Sequence, residues 1–297
     1  MKKLTFTLLG MLVFYQLAFN QNISSQSQIH ESLSFGSEIL KKEVRYSVYL
    51  PNDYETSSRN YPVLYLLHGG SGNETDWLVR GNMQYIVDKA IEKGEIPRML
   101  VVMPSSLNSH YINNCDGSLL YENMFINEFI PFIESKYRIR KDRDSRAIGG
   151  LSRGGYGALL YAMNHPQLFK ACLALSSAIR TDEDYNKIEN ESWLKTFRPL
   201  FGIGKNNSRI SESWEKNNPL YIVASKPADS LRMVHFLIDC GDKDYLVNGN
   251  MALHKALNDI DIPHEFRIKK GSHTWDYWRQ GLADGLGFIG FYLMGGW

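Results

Sequence analysis

Along most of the chain, continuous apolar runs alternate with amphipathic stretches. Residues 63–67 (Val-Leu-Tyr-Leu-Leu), 99–103, 170–176 and 233–238 are short and almost wholly apolar. Such runs suit strands covered on both faces. Between and after them the period changes. Residues 82–93 place Met83, Ile86, Val87, Ala90 and Ile91 on one side of a helix, and residues 124–137 are amphipathic despite Pro131, which is expected to kink them. Residues 247–257 read as a helix, 264–268 as a last short strand and 274–294 as a closing helix. Upstream, residues 33–35 and 44–50 are β-like, and the alternation of the second predicts an outer antiparallel strand with one wet face. The pattern predicts an α/β fold: a mainly parallel sheet with antiparallel first strands and helices on both faces. Right-handed crossovers then gather the strand-to-helix loops along one edge, where such folds build their sites.

Two regions depart from this rhythm. Residues 178–226 are polar, with Trp193, Trp214 and several Asn, and read as an insertion over the strand ends rather than a second domain. At the start, Met1-Lys2-Lys3 precedes an apolar stretch over residues 4–19 and a polar one over 20–27. This reads as a signal peptide spanning 1–20, too short for a membrane span. The expected product is one catalytic domain over 21–297, exported to the periplasm or beyond the cell, with no stable membrane insertion. Without Lys2 and Lys3 the basic residues fall from 33 to 31 against 32 acidic ones, so the remainder is near neutral. That balance gives no electrostatic case for nucleic acid or an anionic membrane. Three cysteines cannot make a disulfide framework. Cys172 and Cys240 are expected at opposite ends of their strands as small buried hydrophobes, and no Cys/His spacing suggests zinc.

The chemistry centres on Gly150-Leu151-Ser152-Arg153-Gly154, between a short apolar run and a helix rich in small residues at its start. This is the sequence of a nucleophile elbow, a strand-to-helix turn that exposes a strained serine. Side chains two before or two after the serine would meet the neighbouring strand or helix, hence glycine at both. A serine hydroxyl needs a base, and the base needs an acid to hold its tautomer. Asp239, Asp242 and Asp244 follow one strand and His273 follows the last, giving the order Ser, Asp, His. Of eight histidines only His273 lies in the expected loop. His165, His235 and His254 read as packing or capping residues, and His264 begins its strand and so faces the wrong edge.

With these motifs the chain resembles the putative-esterase family of α/β-hydrolases, which includes esterase D, feruloyl and acetylxylan esterases, enterochelin esterases and mycolyltransferases. The resemblance covers about residues 44–278. It is carried by Tyr65-Leu66-Leu67-His68-Gly69-Gly70, the elbow with its strand, Cys240-Gly241-Asp242-Lys243-Asp244 and Gly271-Ser272-His273. It implies Ser152, Asp244 and His273 as the triad, Asp244 being chosen over Asp242 by the family's spacing. It also implies an oxyanion hole from the backbone N–H groups of Arg153 and Gly70, with Gly69 as the alternative to Gly70 and His68 shaping the loop. The family often has an apolar residue after the nucleophile; Arg153 instead brings a charge to the pocket. The implied two-step acyl exchange requires neither metal nor organic cofactor. Trp77, Tyr111, Trp275 and Trp278 lie in or beside loops of the active edge and are candidate substrate contacts, since aromatic rings stack on sugars or a feruloyl group. Trp193 and Trp214 are candidates for the same pocket. With the export signal, this points to a serine esterase acting on feruloyl or acetyl esters of plant polysaccharide (xylan) fragments. A generalist short-chain carboxylesterase or an acyltransferase would use the same triad; a non-catalytic carbohydrate-binding relative is the alternative from another class, disfavoured by the intact Ser152, Asp244 and His273.

Overall fold

In the computed structural model, which describes residues 26–296, eight strands form one sheet in the order β1-β2-β4-β3-β5-β6-β7-β8. They are β1 (Gln28–Ser37), β2 (Lys42–Leu50), β3 (Val63–Leu67), β4 (Leu100–Pro104), β5 (Arg146–Leu151), β6 (Ala171–Leu175), β7 (His235–Gly241) and β8 (His264–Lys269). β1 pairs with β2 and β2 with β4 antiparallel; all other neighbours are parallel. This is the mainly parallel sheet expected. The proposed signal peptide lies outside the described residues.

Every residue of β3, β4, β5 and β6 is buried, which explains why their sequences do not alternate. Their side chains divide between two cores. Val63, Tyr65 and Leu67 join one face, covered by the helical segments within 121–136, the elbow helix Arg153–Asn164 and the helix Val247–Asp259. Leu64 and Leu66 join the other, beneath the helices Met83–Glu92 and Trp275–Leu293.

β2 corrects the sequence reading. It is not an outer strand, because β1 covers it, and Ser47 and Tyr49 on its supposed wet face are fully buried. The Tyr49 hydroxyl escapes isolation by donating to Asp88 Oδ1 at 2.6 Å. β1 is longer than its apolar residues suggest because it is a largely exposed edge strand, irregular between His30 and Leu33.

The region 178–226 folds into short helices whose apolar residues, including Tyr185, Trp193, Phe201, Trp214 and Val223, join the first core. Trp214 stacks on Tyr185 at 3.7 Å and donates its indole N–H to Asp182 at 2.8 Å. Trp193 and Trp214 are therefore packing residues, not part of the pocket expected for them. Cys172 and Cys240 are buried, as their strand positions suggested, and Cys115 is exposed.

Candidate active site

β5 leads directly into Ser152, which precedes the helix Arg153–Asn164 with φ 55° and ψ −117°. The turn holds this geometry through backbone bonds. The Ser152 N–H donates to the Leu175 carbonyl at 2.8 Å, and the Ser152 carbonyl accepts from Tyr156 and Ala178, each at 3.0 Å. The glycines have the steric reason anticipated. A Cβ on Gly150 would stand 2.5 Å from the backbone of Gly154, and one on Gly155 2.6 Å from Ser177 Oγ. One on Gly154 would overlap the carbonyls of Leu67 and His68.

Asp244 and His273 leave the sheet at the same edge, after β7 and β8. His273 Nε2 lies 3.0 Å from Ser152 Oγ, and His273 Nδ1 lies 2.8 Å from Asp244 Oδ2. With the imidazole neutral, Nδ1–H donates to the carboxylate and Nε2 accepts from the serine. Asp244 is only 2 % exposed. Burial pushes its pKa up, but the His273 contact and the Leu246 N–H, 2.9 Å from Oδ1, outweigh that and hold it below the ordinary value. The other two carboxylates at this end of β7 brace the frame. Asp242 accepts from the Gly271 N–H at 2.8 Å, and Asp239 accepts from the Tyr277 hydroxyl and lies 3.3 Å from Lys269 Nζ. Among the other histidines, His165 contacts Glu122 at 3.0 Å and His235 stacks on Tyr292 at 3.7 Å.

The loop after β3 is held by three successive carbonyls. The Trp77 indole N–H donates to Leu67 O at 3.0 Å, the Tyr111 hydroxyl to His68 O at 2.8 Å, and His68 Nδ1–H to Gly69 O at 2.7 Å. His68 Nε2 accepts from the Ser106 N–H at 2.9 Å, so both ring nitrogens are committed to backbone groups. Trp77 and Tyr111 are fully buried. The expectation that they contact substrate gives way to another role: they fix the peptide planes of the loop that carries Gly69 and Gly70. Arg153 opens its helix, so its N–H has no carbonyl one turn back to bond.

A cavity of about 520 Å³ opens over Ser152 and His273, lined also by Gly70, Arg153, Trp275 and Trp278. Trp278 meets the His273 ring edge-on at 4.8 Å and Trp275 at 5.4 Å, so these two aromatics do reach the site. Tyr245, Asp76 and Arg80 line the cavity without having been singled out in the sequence. Tyr245, with its ring 4.7 Å from His273, could have been found: it directly follows Asp244 in an active-edge loop. Arg80, whose guanidinium lies 5.2 Å from the Trp275 ring, carried no such signal. A larger hollow of about 950 Å³, lined by Ser27, Tyr49, Gln84, Asp88 and Arg98, contains none of these catalytic candidates.

An α/β sheet with a serine, a histidine and a carboxylate joined in series at its edge defines the class as α/β-hydrolase. The model of the family described as putative esterase matches residues 37–289. An acetyl esterase of Caldicellulosiruptor saccharolyticus is 30% identical over 265 residues, spanning 85% of this chain and 94% of the relative. An endo-1,4-beta-xylanase/feruloyl esterase of Xylanibacter ruminicola is 34% identical over 146 residues, 47% of this chain and 20% of that longer protein. The solved structure of a ferulic acid esterase superposes with a TM-score of 0.78 at 31% identity, covering 90% of this chain and 99% of its own. The chain belongs to this esterase family and is a serine carboxylesterase.

Proposed function

We propose that this is an exported esterase that removes feruloyl or acetyl groups from xylan-derived fragments, with Ser152 as nucleophile, His273 as base and Asp244 as the acid that orients it. The observation that carries the mechanism is the unbroken contact series, 3.0 Å from Ser152 Oγ to His273 Nε2 and 2.8 Å from Nδ1 to Asp244. His273 takes the serine proton as Oγ attacks the ester carbonyl, and the charge on the tetrahedral oxygen falls to the N–H groups of Arg153 and Gly70. The imidazolium then protonates the leaving alcohol. Water, deprotonated by the same nitrogen, attacks the acyl-enzyme and releases the acid and free Ser152. Residues 21–297 act as one catalytic unit, a reading supported by the core that 178–226 shares with the elbow helix. Export is motivated by the basic start and apolar stretch of residues 1–20.

The substrate reading draws on relatives named for acetyl and feruloyl esters and on two rings lining the cavity, Trp278 against His273 and Trp275 packed on Trp278. The test compares kcat/KM on acetylated xylo-oligosaccharide, a feruloylated arabinoxylan fragment and 4-nitrophenyl acetate, with Ser152→Ala alongside. A marked preference for one sugar ester, abolished in the variant, is expected. Turnover of the activated ester alone would replace this reading with a generalist carboxylesterase.

A further inference from the structure

Asn250 lies in the first turn of the helix Val247–Asp259 and is fully buried. Its amide Nδ2 donates to the Leu246 carbonyl and to the Ser177 carbonyl, each at 2.9 Å. Both neighbours are acceptors, so the nitrogen of the amide has to face them. The amide oxygen has no hydrogen-bond partner among the described residues, a cost that an apolar residue filling the same space would avoid. Gly249, just before it, lets the helix approach the loop after β6: a Cβ there would stand 2.1 Å from the Ile179 carbonyl. Helix and loop are thus docked closely at 249–250.

Each of the two carbonyls belongs to a segment that touches the triad. Leu246 donates its N–H to Asp244 Oδ1 at 2.9 Å, which leaves Oδ2 to meet His273 Nδ1. Ser177 precedes Ala178, whose N–H donates to the Ser152 carbonyl at 3.0 Å. Asn250 therefore ties the turn that carries the acid to the loop packed against the serine. Removing the amide orphans neither carbonyl. Ser177 O still accepts from the Ile179 N–H at 2.7 Å, and Leu246 O from the Asn250 N–H at 3.3 Å. What is lost is the register between the two turns rather than the fold. We propose that Asn250 is a positioning residue for catalysis: it fixes Leu246, and through Leu246 the rotation of the Asp244 carboxylate that orients His273 toward Ser152. The proposal rests on the reading of Asp244 as the triad acid. A misplacement of about 1 Å in such a support costs about 10²-fold in rate. The effect falls on the chemical step, because the residues lining the cavity over Ser152 do not include Asn250.

The test is a double-mutant cycle on kcat with Asn250→Ala and Asp244→Asn. Asn250→Ala should lower kcat about 10- to 100-fold, with KM within about twofold of wild type, in protein that still unfolds cooperatively in urea. In the Asp244→Asn background the same substitution should cost less than about twofold, since the contact it supports is already gone. Asn250→Ser should recover part of the kcat lost in Asn250→Ala, because a serine hydroxyl within a helix donates to the carbonyl four residues back, here that of Leu246. If Asn250→Ala does not fold, Asn250→Ser carries the cycle with the same sign. A kcat within about twofold of wild type in folded Asn250→Ala, or an equal loss with and without Asp244, would overturn the proposal and leave Asn250 a packing residue. The proton NMR signal of His273 Nδ1–H, displaced downfield by its carboxylate partner, reads the contact without turnover. It should move upfield or broaden in Asn250→Ala, and an unchanged signal counts against the proposal. If Asp244→Asn keeps the wild-type kcat, the triad reading fails, while the NMR signal still decides whether Asn250 holds the contact between His273 and Asp244.

Discussion

Ser152 is held at φ 55°, a conformation that costs on the order of 1–3 kcal/mol, and the surrounding glycines let neighbouring backbone over-determine it. Gly154→Ala should therefore remove activity by displacing the Leu67 or His68 carbonyl, seen as loss of turnover in a protein with near-native circular dichroism. Asp244→Asn keeps the shape but reverses the hydrogen bond that sets the His273 tautomer. Its kcat should fall about 10⁴-fold, with KM little changed. Because Asp244 titrates below the ordinary carboxylate range in the folded protein, its stabilising contribution is complete above that range and disappears only as pH falls through the lowered value. His110 acts earlier in acidification. Burial, with the charges of Arg153 and Arg180, lowers its pKa from 6.5 to about 3. Below 6.5 the unfolded chain takes up a proton that the folded one refuses, so stability falls with pH from 6.5 downward. Between pH 6.5 and 5 this residue should cost roughly 2 kcal/mol, and His110→Gln should flatten the pH dependence of the urea midpoint by that amount.

The elements show where a sequence pattern is sufficient and where it is not. Around Pro131 the helical backbone continues from 121 to 136 by widening to a π-turn over Phe125–Phe129, with the Ile130 N–H reaching back to Phe125 O. The same solution recurs at Trp193–Phe197, before Pro199. In both cases the proline cannot donate and its ring crowds the preceding turn, and the residue before it takes the longer bond. β5 is anchored at its start by Arg146, whose pair with Glu134 is almost fully buried. Glu134→Gln would leave that guanidinium uncompensated and should destabilise the fold by about 3–5 kcal/mol, measurable by urea unfolding. The strands themselves were legible, since β3, β4, β5 and β6 have no wet face to interrupt their apolar runs. β2 misled because its polar-looking alternation records a buried serine and a tyrosine that ends on Asp88.

At the scale of the whole molecule, parallel strand order delivers the site. Ser152, Asp244 and His273 come from the ends of β5, β7 and β8, so the chain order of their motifs was enough to bring them together. The aromatic residues were less legible because loop position does not say which way a ring points. Trp275 and Trp278 open the closing helix beside His273, whereas Trp77 and Tyr111, from equally suitable loops, turn inward to hold backbone carbonyls. Whether Ser152, activated by His273, attacks the ester is tested by labelling with an aryl fluorophosphonate and peptide mass mapping of the wild-type protein and His273→Ala. One adduct is expected, on Ser152, formed orders of magnitude more slowly when His273 is replaced. Labelling at another residue, or ester hydrolysis that persists in protein whose Ser152 is fully modified, would contradict it.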